Sequence, residues 1–185
     1  MSDVQPSYWR AISGARGTYN LILCTALGST VWHSFIGGPT AYKALPRQQF
    51  GHLQSRLFPR FFALQTSSAL ALLGLYARGG GKVSWTGWWR SGSDRTVQAL
   101  MLLVLTGAAN WIVVGPWTTA VMKRRHRKER IEGKDYSDPD ASSEMKALNS
   151  RFAFLHSVSS ILNLGWLVTA AAHAAFVAEY GTTRA

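Results

Sequence analysis

Residues 152–178 read FAFLHSVSSILNLGWLVTAAAHAAFVA, a run of 27 positions without Asp, Glu, Lys or Arg. Three further stretches share that property: Gly17–Tyr42 (26 residues), Phe61–Ala77 (17) and Thr96–Met122 (27). At about 1.5 Å per helical residue even the shortest reaches roughly 25 Å, near the lower limit for crossing a bilayer's hydrocarbon core. Lipid offers a backbone no hydrogen-bond partners, so segments that cross it are helices. The expected fold is therefore all-α: a four-transmembrane-helix bundle with spans at about 17–42, 61–77, 96–122 and 152–178. A tail of residues 1–16 precedes this single membrane domain (17–178), and a tail of residues 179–185 follows it.

Average composition conceals this pattern. A mean hydropathy near zero and 47% hydrophobic residues would suit a water-soluble domain. The 20 basic and 9 acidic residues, however, lie almost wholly between the apolar blocks. A net charge of +11 could suit nucleic-acid binding. Here the basic residues flank the spans, as the positive-inside bias requires, so no nucleic-acid partner is expected. The one cysteine, Cys24, falls inside the first apolar block and cannot form an internal disulfide.

Charge placement orients the spans. The loops after spans one and three together carry 13 Lys and Arg, against 7 on the other side including both tails. The bias puts loops 43–60 and 123–151 in the cytosol. Tyr8, Trp9, Trp85, Trp88, Trp89 and Tyr180 then gather at the opposite surface, where amphipathic rings favour headgroup depth. In the first cytosolic loop Phe50, Leu53 and Leu57 recur with helical spacing between Pro46 and Pro59. That pattern predicts a short interfacial amphipathic helix between spans one and two, interrupted or kinked near Pro59. The third loop opens with Lys123, Arg124, Arg125, His126, Arg127 and Lys128, a helical extension of span three that Gly133 stops. Its basic side chains are expected on anionic lipid headgroups. The stretch Asp135–Ser143 reads as a mobile link, with Asp138-Pro139 as a start for the last helix.

Polar residues at membrane depth are the places to look for function. In span four His156, Ser159, Ser160 and Asn163 follow i, i+3, i+4, i+7 and share one face. Span one carries Ser29, Thr30, His33 and Gly37 at matching spacing, and span three offers Thr106 and Asn110. Asn110, Ser159, Ser160 and Asn163 form an expected polar network, the two asparagines bonding across the bundle at about 0.6–2 kcal/mol per contact. His33 and His156 admit another reading, as ligands of haem iron or copper, or as proton carriers. His173 lies about 100° around the helix from that polar face and reads as a bystander. No span contains a carboxylate, and no phosphate loop, zinc-spaced Cys/His cluster or G-x-S-x-G occurs. No resident metal or cofactor is expected on the leading reading.

Three segments carry a resemblance. They are Leu45-Pro46-Arg47-Gln48-Gln49-Phe50-Gly51 with Gln54 to Pro59, then Asn110 with Gly115-Pro116-Trp117-Thr118-Thr119-Ala120-Val121-Met122. The third is Phe154 and His156 with Ser159-Ser160 and Asn163-Leu164-Gly165. In these the chain resembles the transmembrane protein 205-like proteins, with Trp117 where that pattern commonly has Arg. The resemblance implies a four-helix protein of an internal eukaryotic membrane such as the endoplasmic reticulum, without an established reaction. Shorter stretches, Thr118 to Arg125 and Leu155 to Ser160, are similar to anthrone-oxygenase-like and copper-resistance-D-like membrane proteins. Two functions follow as expectations. One is a non-enzymatic multi-pass protein of transport, trafficking or membrane organisation, its homo-oligomerisation open. The other is a membrane-embedded oxidoreductase or metal binder using His33 and His156.

Overall fold

The structure, a computed structural model, describes residues 7–90 and 94–181. Of the two expected tails, residues 1–6 and 182–185 lie outside the described residues. Every regular element among the described residues is helical. A short α1 (Tyr8–Ser13) leads into α2 (Ala15–Val31), which passes through a π-helical turn (Trp32–Gly37) into α3 (Gly38–Ala44). α4 (Arg47–Arg78) returns antiparallel to it. α5 (Arg95–Ala108), a second π-helical turn (Ala109–Val114) and α6 (Gly115–Glu132) form one continuous rod, and α7 (Ser143–Tyr180) is the last. α2 packs on α4 and α7, α4 on α5, and α5 on α7, closing a ring of helix contacts. The apolar core inside it includes Leu23, Ala69, Leu72, Leu100, Leu103 and Trp166.

Where the sequence predicts four crossings, among the described residues three rods are long and apolar enough to make one: Ala15–Ala44, Arg95–Glu132 and Ser143–Tyr180. The fourth rod, α4, is diluted by Gln65, Thr66, Ser67 and Ser68, of which all but Ser67 are buried against other helices. The amphipathic helix predicted between spans one and two is not a separate element. It is the first half of α4, which runs unbroken through Pro59. Proline removes one backbone donor, a loss that a 32-residue helix packed between neighbours absorbs.

Both π-helical turns stand just before a Gly-Pro pair, Gly38-Pro39 and Gly115-Pro116. The proline ring crowds the carbonyl four residues back, and the chain relieves the clash by widening the preceding turn. Gly38 N–H bonds to His33 O, and Gly115 N–H to Asn110 O, each five residues back. A Cβ on Gly38 would stand 2.8 Å from His33 O, and one on Gly115 only 2.5 Å from Asn110 O. The widened turn therefore requires glycine at both places.

Gly133, at φ 64°, ends α6 in the left-handed conformation as the sequence predicts. The start of the last helix differs. Ser142, not Asp138-Pro139, caps α7, its Oγ accepting from Met145 N at 3.1 Å. The intervening stretch is held rather than loose. Asp135 Oδ1 accepts from Ser137 N, Tyr136 N donates to Glu129 Oε1 at 3.1 Å, and Asn149 Nδ2 donates to Tyr136 O at 2.7 Å.

Candidate functional site

A polar layer crosses the centre of the helix ring. Thr30 Oγ1 donates its only proton to Ala26 O at 2.8 Å, so it can only accept from Gln65 Nε2, 3.1 Å away. That settles the orientation of the Gln65 amide, whose other Nε2 proton goes to Asn163 Oδ1 at 2.9 Å. Asn163 Nδ2 in turn donates to Ser34 Oγ at 2.9 Å. One chain of side chains thus joins α2, the first π-helical turn, α4 and α7. From the second π-helical turn Asn110 Nδ2 donates to Ser159 O at 3.1 Å. Each widened turn delivers one polar residue, Ser34 or Asn110, to the same stretch of α7.

The layer's polarity is one-sided. Its amide protons toward the neighbouring helices are used, whereas Gln65 Oε1 and Asn110 Oδ1 are buried with no donor from the protein. Its spare capacity is for a hydrogen-bond donor, and it contains no carboxylate and no nucleophile–base pair. Such a layer is suited to holding helices in register.

Of the residues predicted for this network, Asn110 and Asn163 each bond across helices, but to different partners and not to each other. Ser159 takes part through its backbone carbonyl. Ser160 is exposed and its hydroxyl donates to His156 O in its own helix. Gln65 and Ser34 join the network although the helical-face pattern of the sequence does not mark them. Gln65 shows in the sequence as the lone amide in the second apolar stretch, and Ser34 sits one residue from the face on which Ser29, Thr30, His33 and Gly37 were aligned.

The two histidines of the metal reading stand in unlike settings. His33 lies between Phe58 and Phe61, with ring centroids 5.1 and 4.4 Å away, and its Nε2 is buried without a partner. His156 is exposed and stacks on Phe152 of its own helix. No ring contact or hydrogen bond joins the two, and among the described residues no three His, Cys, Asp or Glu side chains cluster as metal ligands.

His173, expected to be a bystander, is instead buried, and its Nε2 shares a 2.5 Å hydrogen bond with the Tyr19 hydroxyl. α7 touches α2 as well as α5, so more than one of its faces is interior. Nearby in the same core Tyr76 donates to Asp94 Oδ2 at 2.5 Å, while Asp94 Oδ1 caps α5 through Thr96 N.

The basic run after span three divides by helical face. Lys123, Arg124 and Arg127 are exposed. Arg125 is not available to headgroups. It is 7% exposed, with its guanidinium over the rings of Tyr136 (4.6 Å) and Phe152 (4.5 Å). Lys128 pairs with Glu132 at 3.3 Å and also with Glu144. Glu129, buried beneath them, receives Arg47 and the Tyr136 N–H, and Arg47 also lies 3.7 Å from Asp135 and 4.0 Å over the Tyr136 ring. The Leu45–Gly51 segment that carried part of the resemblance is thereby fastened to the end of α6. The hydrogen bond from Ser137, with Arg47 and Arg125 adding attraction, holds the Asp135 carboxyl below its ordinary pKa.

A family model described as a domain of unknown function (DUF4149) matches residues 21–127, more than half the chain. The matched region contains Thr30, Ser34, Gln65 and Asn110, with Ser159 and Asn163 of α7 beyond it. No solved structure matches.

Proposed function

The chain belongs to the DUF4149 family, and from that premise we propose a small integral membrane protein that crosses the bilayer four times. It acts without catalysis, in transport, trafficking or membrane organisation. One observation carries the fourth crossing: α4 lies along the whole depth of α2. Thr30 bonds Gln65, the His33 ring packs at a tilt against Phe61, and Tyr19 shares the core with Tyr76. If α2 crosses, a partner of equal depth crosses with it. The modest hydropathy of α4 follows from turning polar side chains inward, where the Gln65 amide N–H groups bond two other helices and Thr66 bonds its own backbone.

The bundle is held by the Gln65–Asn163–Ser34 chain and the Asn110–Ser159 bond, with Lys123, Arg124 and Arg127 on anionic headgroups. Loops 43–60 and 123–151 face the cytosol, supported by their larger share of Lys and Arg. Kinship with transmembrane protein 205-like proteins, and with it an internal eukaryotic membrane such as the endoplasmic reticulum, rests on the Leu45–Pro59 and Gly115–Met122 segments. Glycosylation acceptors inserted near Leu45, near Gly80 and near Asp138 test the topology. With four crossings the Gly80 and Asp138 sites lie on opposite sides and the Asp138 site shares its side with the Leu45 site. If α4 does not cross, the sites near Leu45 and Gly80 share a side and the Asp138 site is alone.

A further inference from the structure

We propose that the open groove between α2 and α4 is a binding site for one anionic glycerophospholipid, its acyl chain along the groove and its phosphate on Arg60. This rests on the membrane reading above. The groove is open to the outside and offers about 490 Å³, a volume comparable to the about 300–1,000 Å³ of ligand sites. Its walls are mainly apolar: Gly28, Trp32 and the His33 ring line one side, from α2 and the turn that follows it, and Leu57, Phe61 and Leu64 of α4 line the other. A Cβ on Gly28 would meet nothing within 4 Å, so the space beside it is open.

Charge selects the occupant. Arg60 ends the charged part of α4, immediately before the uncharged stretch from Phe61, and so stands at the edge of the hydrocarbon. It is exposed, and one of its amino groups donates to Arg56 O at 2.7 Å. No carboxylate reaches it: among the described residues the ion pairs use Arg47 and Lys128. No Asp or Glu occurs anywhere between Asp3 and Asp94. Arg56, also exposed, adds a second positive charge one turn away. An apolar trough bordered by one uncompensated guanidinium, with a second a turn away, matches a tail joined to a negatively charged head. This differs from diffuse attraction of the basic loop to a charged surface, because it predicts one lipid held at a place a single side chain can fill.

The protein is purified from vesicles of phosphatidylcholine and phosphatidylserine, and native mass spectrometry counts the lipids that remain bound. The wild type should retain one phosphatidylserine in preference to phosphatidylcholine. Arg60→Gln should lower that preference about five-fold, the worth of one arginine near an anionic headgroup. Gly28→Leu, which reaches into open space and suits a helix better than glycine, should abolish retention while leaving thermal stability in lipid-free detergent unchanged. Equal retention of both lipids by the wild type, or undiminished phosphatidylserine on either variant, overturns the proposal. So does replacement of the bound lipid by a second copy of the chain. An alkaline carbonate wash of the same vesicles separates the two readings: protein that stays in the bilayer yet shows no lipid preference sinks only the groove, whereas protein released by the wash sinks the membrane reading.

Discussion

Replacing Asn163 with alanine removes two interhelical bonds from the polar layer, against one for Asn110. Asn163 Oδ1 accepts from Gln65 and Asn163 Nδ2 donates to Ser34, both at 2.9 Å, so two bonds to two different helices are lost. At about 0.6–2 kcal/mol for each interhelical bond, the cost is on the order of 1–4 kcal/mol. For a chain of this size that corresponds to a fall in Tm of about 2–16 °C. Asn110→Ala loses one bond, to Ser159 O, and should cost about half as much. Ser160→Ala serves as the control, because its hydroxyl bonds only within α7. Thermal unfolding in detergent, followed through the 8 tryptophans, measures all three. A double-mutant cycle with Gln65→Leu and Asn163→Ala should show a coupling of about 0.5–2 kcal/mol. An Asn163→Ala shift no larger than that of Ser160→Ala would refute the layer as the element holding the helices together.

Three further outcomes follow from particular contacts. Gly115→Ala drives a Cβ to 2.5 Å from Asn110 O and should cost about 1–3 kcal/mol, as overpacking does, read as a lower Tm; an unchanged Tm would mean that the widened turn does not depend on glycine. Tyr19→Phe leaves the buried His173 without its hydrogen bond and should cost about 1–3 kcal/mol, whereas Tyr19→Phe with His173→Leu should recover part of the loss in the same assay. Asp135 has a folded pKa below its ordinary 3.8, so its stabilisation is complete above that value and is lost as pH falls through the depressed one. Acid titration of Tm should show a small advantage over Asp135→Asn at neutral pH that vanishes in strong acid; a gap that widens on acidification would contradict the sign.

The long uncharged stretches made the helices readable in the sequence, because charge is costly at membrane depth and its absence needs no tertiary context to be seen. The Gly133 stop was readable for a similar reason, being local backbone chemistry. What escaped depended on which face of a helix meets a neighbour. Gln65 is the lone amide of its uncharged segment, and only the packing shows α2 and α7 taking up that amide. His173 leaves the face of Ser159 and Asn163, yet α7 is enclosed on more than one side. Arg125 was indistinguishable from its basic neighbours by composition. Helical spacing held the missing signal, since Val121, Arg125 and Glu129 recur every four residues and are the buried positions of α6.

The most direct test of a hydrocarbon-solvated outer surface uses single nitroxide labels at Ile112, Ile161 and Val168, all strongly exposed on the apolar rods, in a Cys24→Ser background reconstituted into bilayers. Collision with oxygen, which dissolves in lipid, should exceed collision with a water-soluble nickel chelate at all three positions. Dominant nickel collisions at Ile161 and Val168 would place water around α7 and contradict the account.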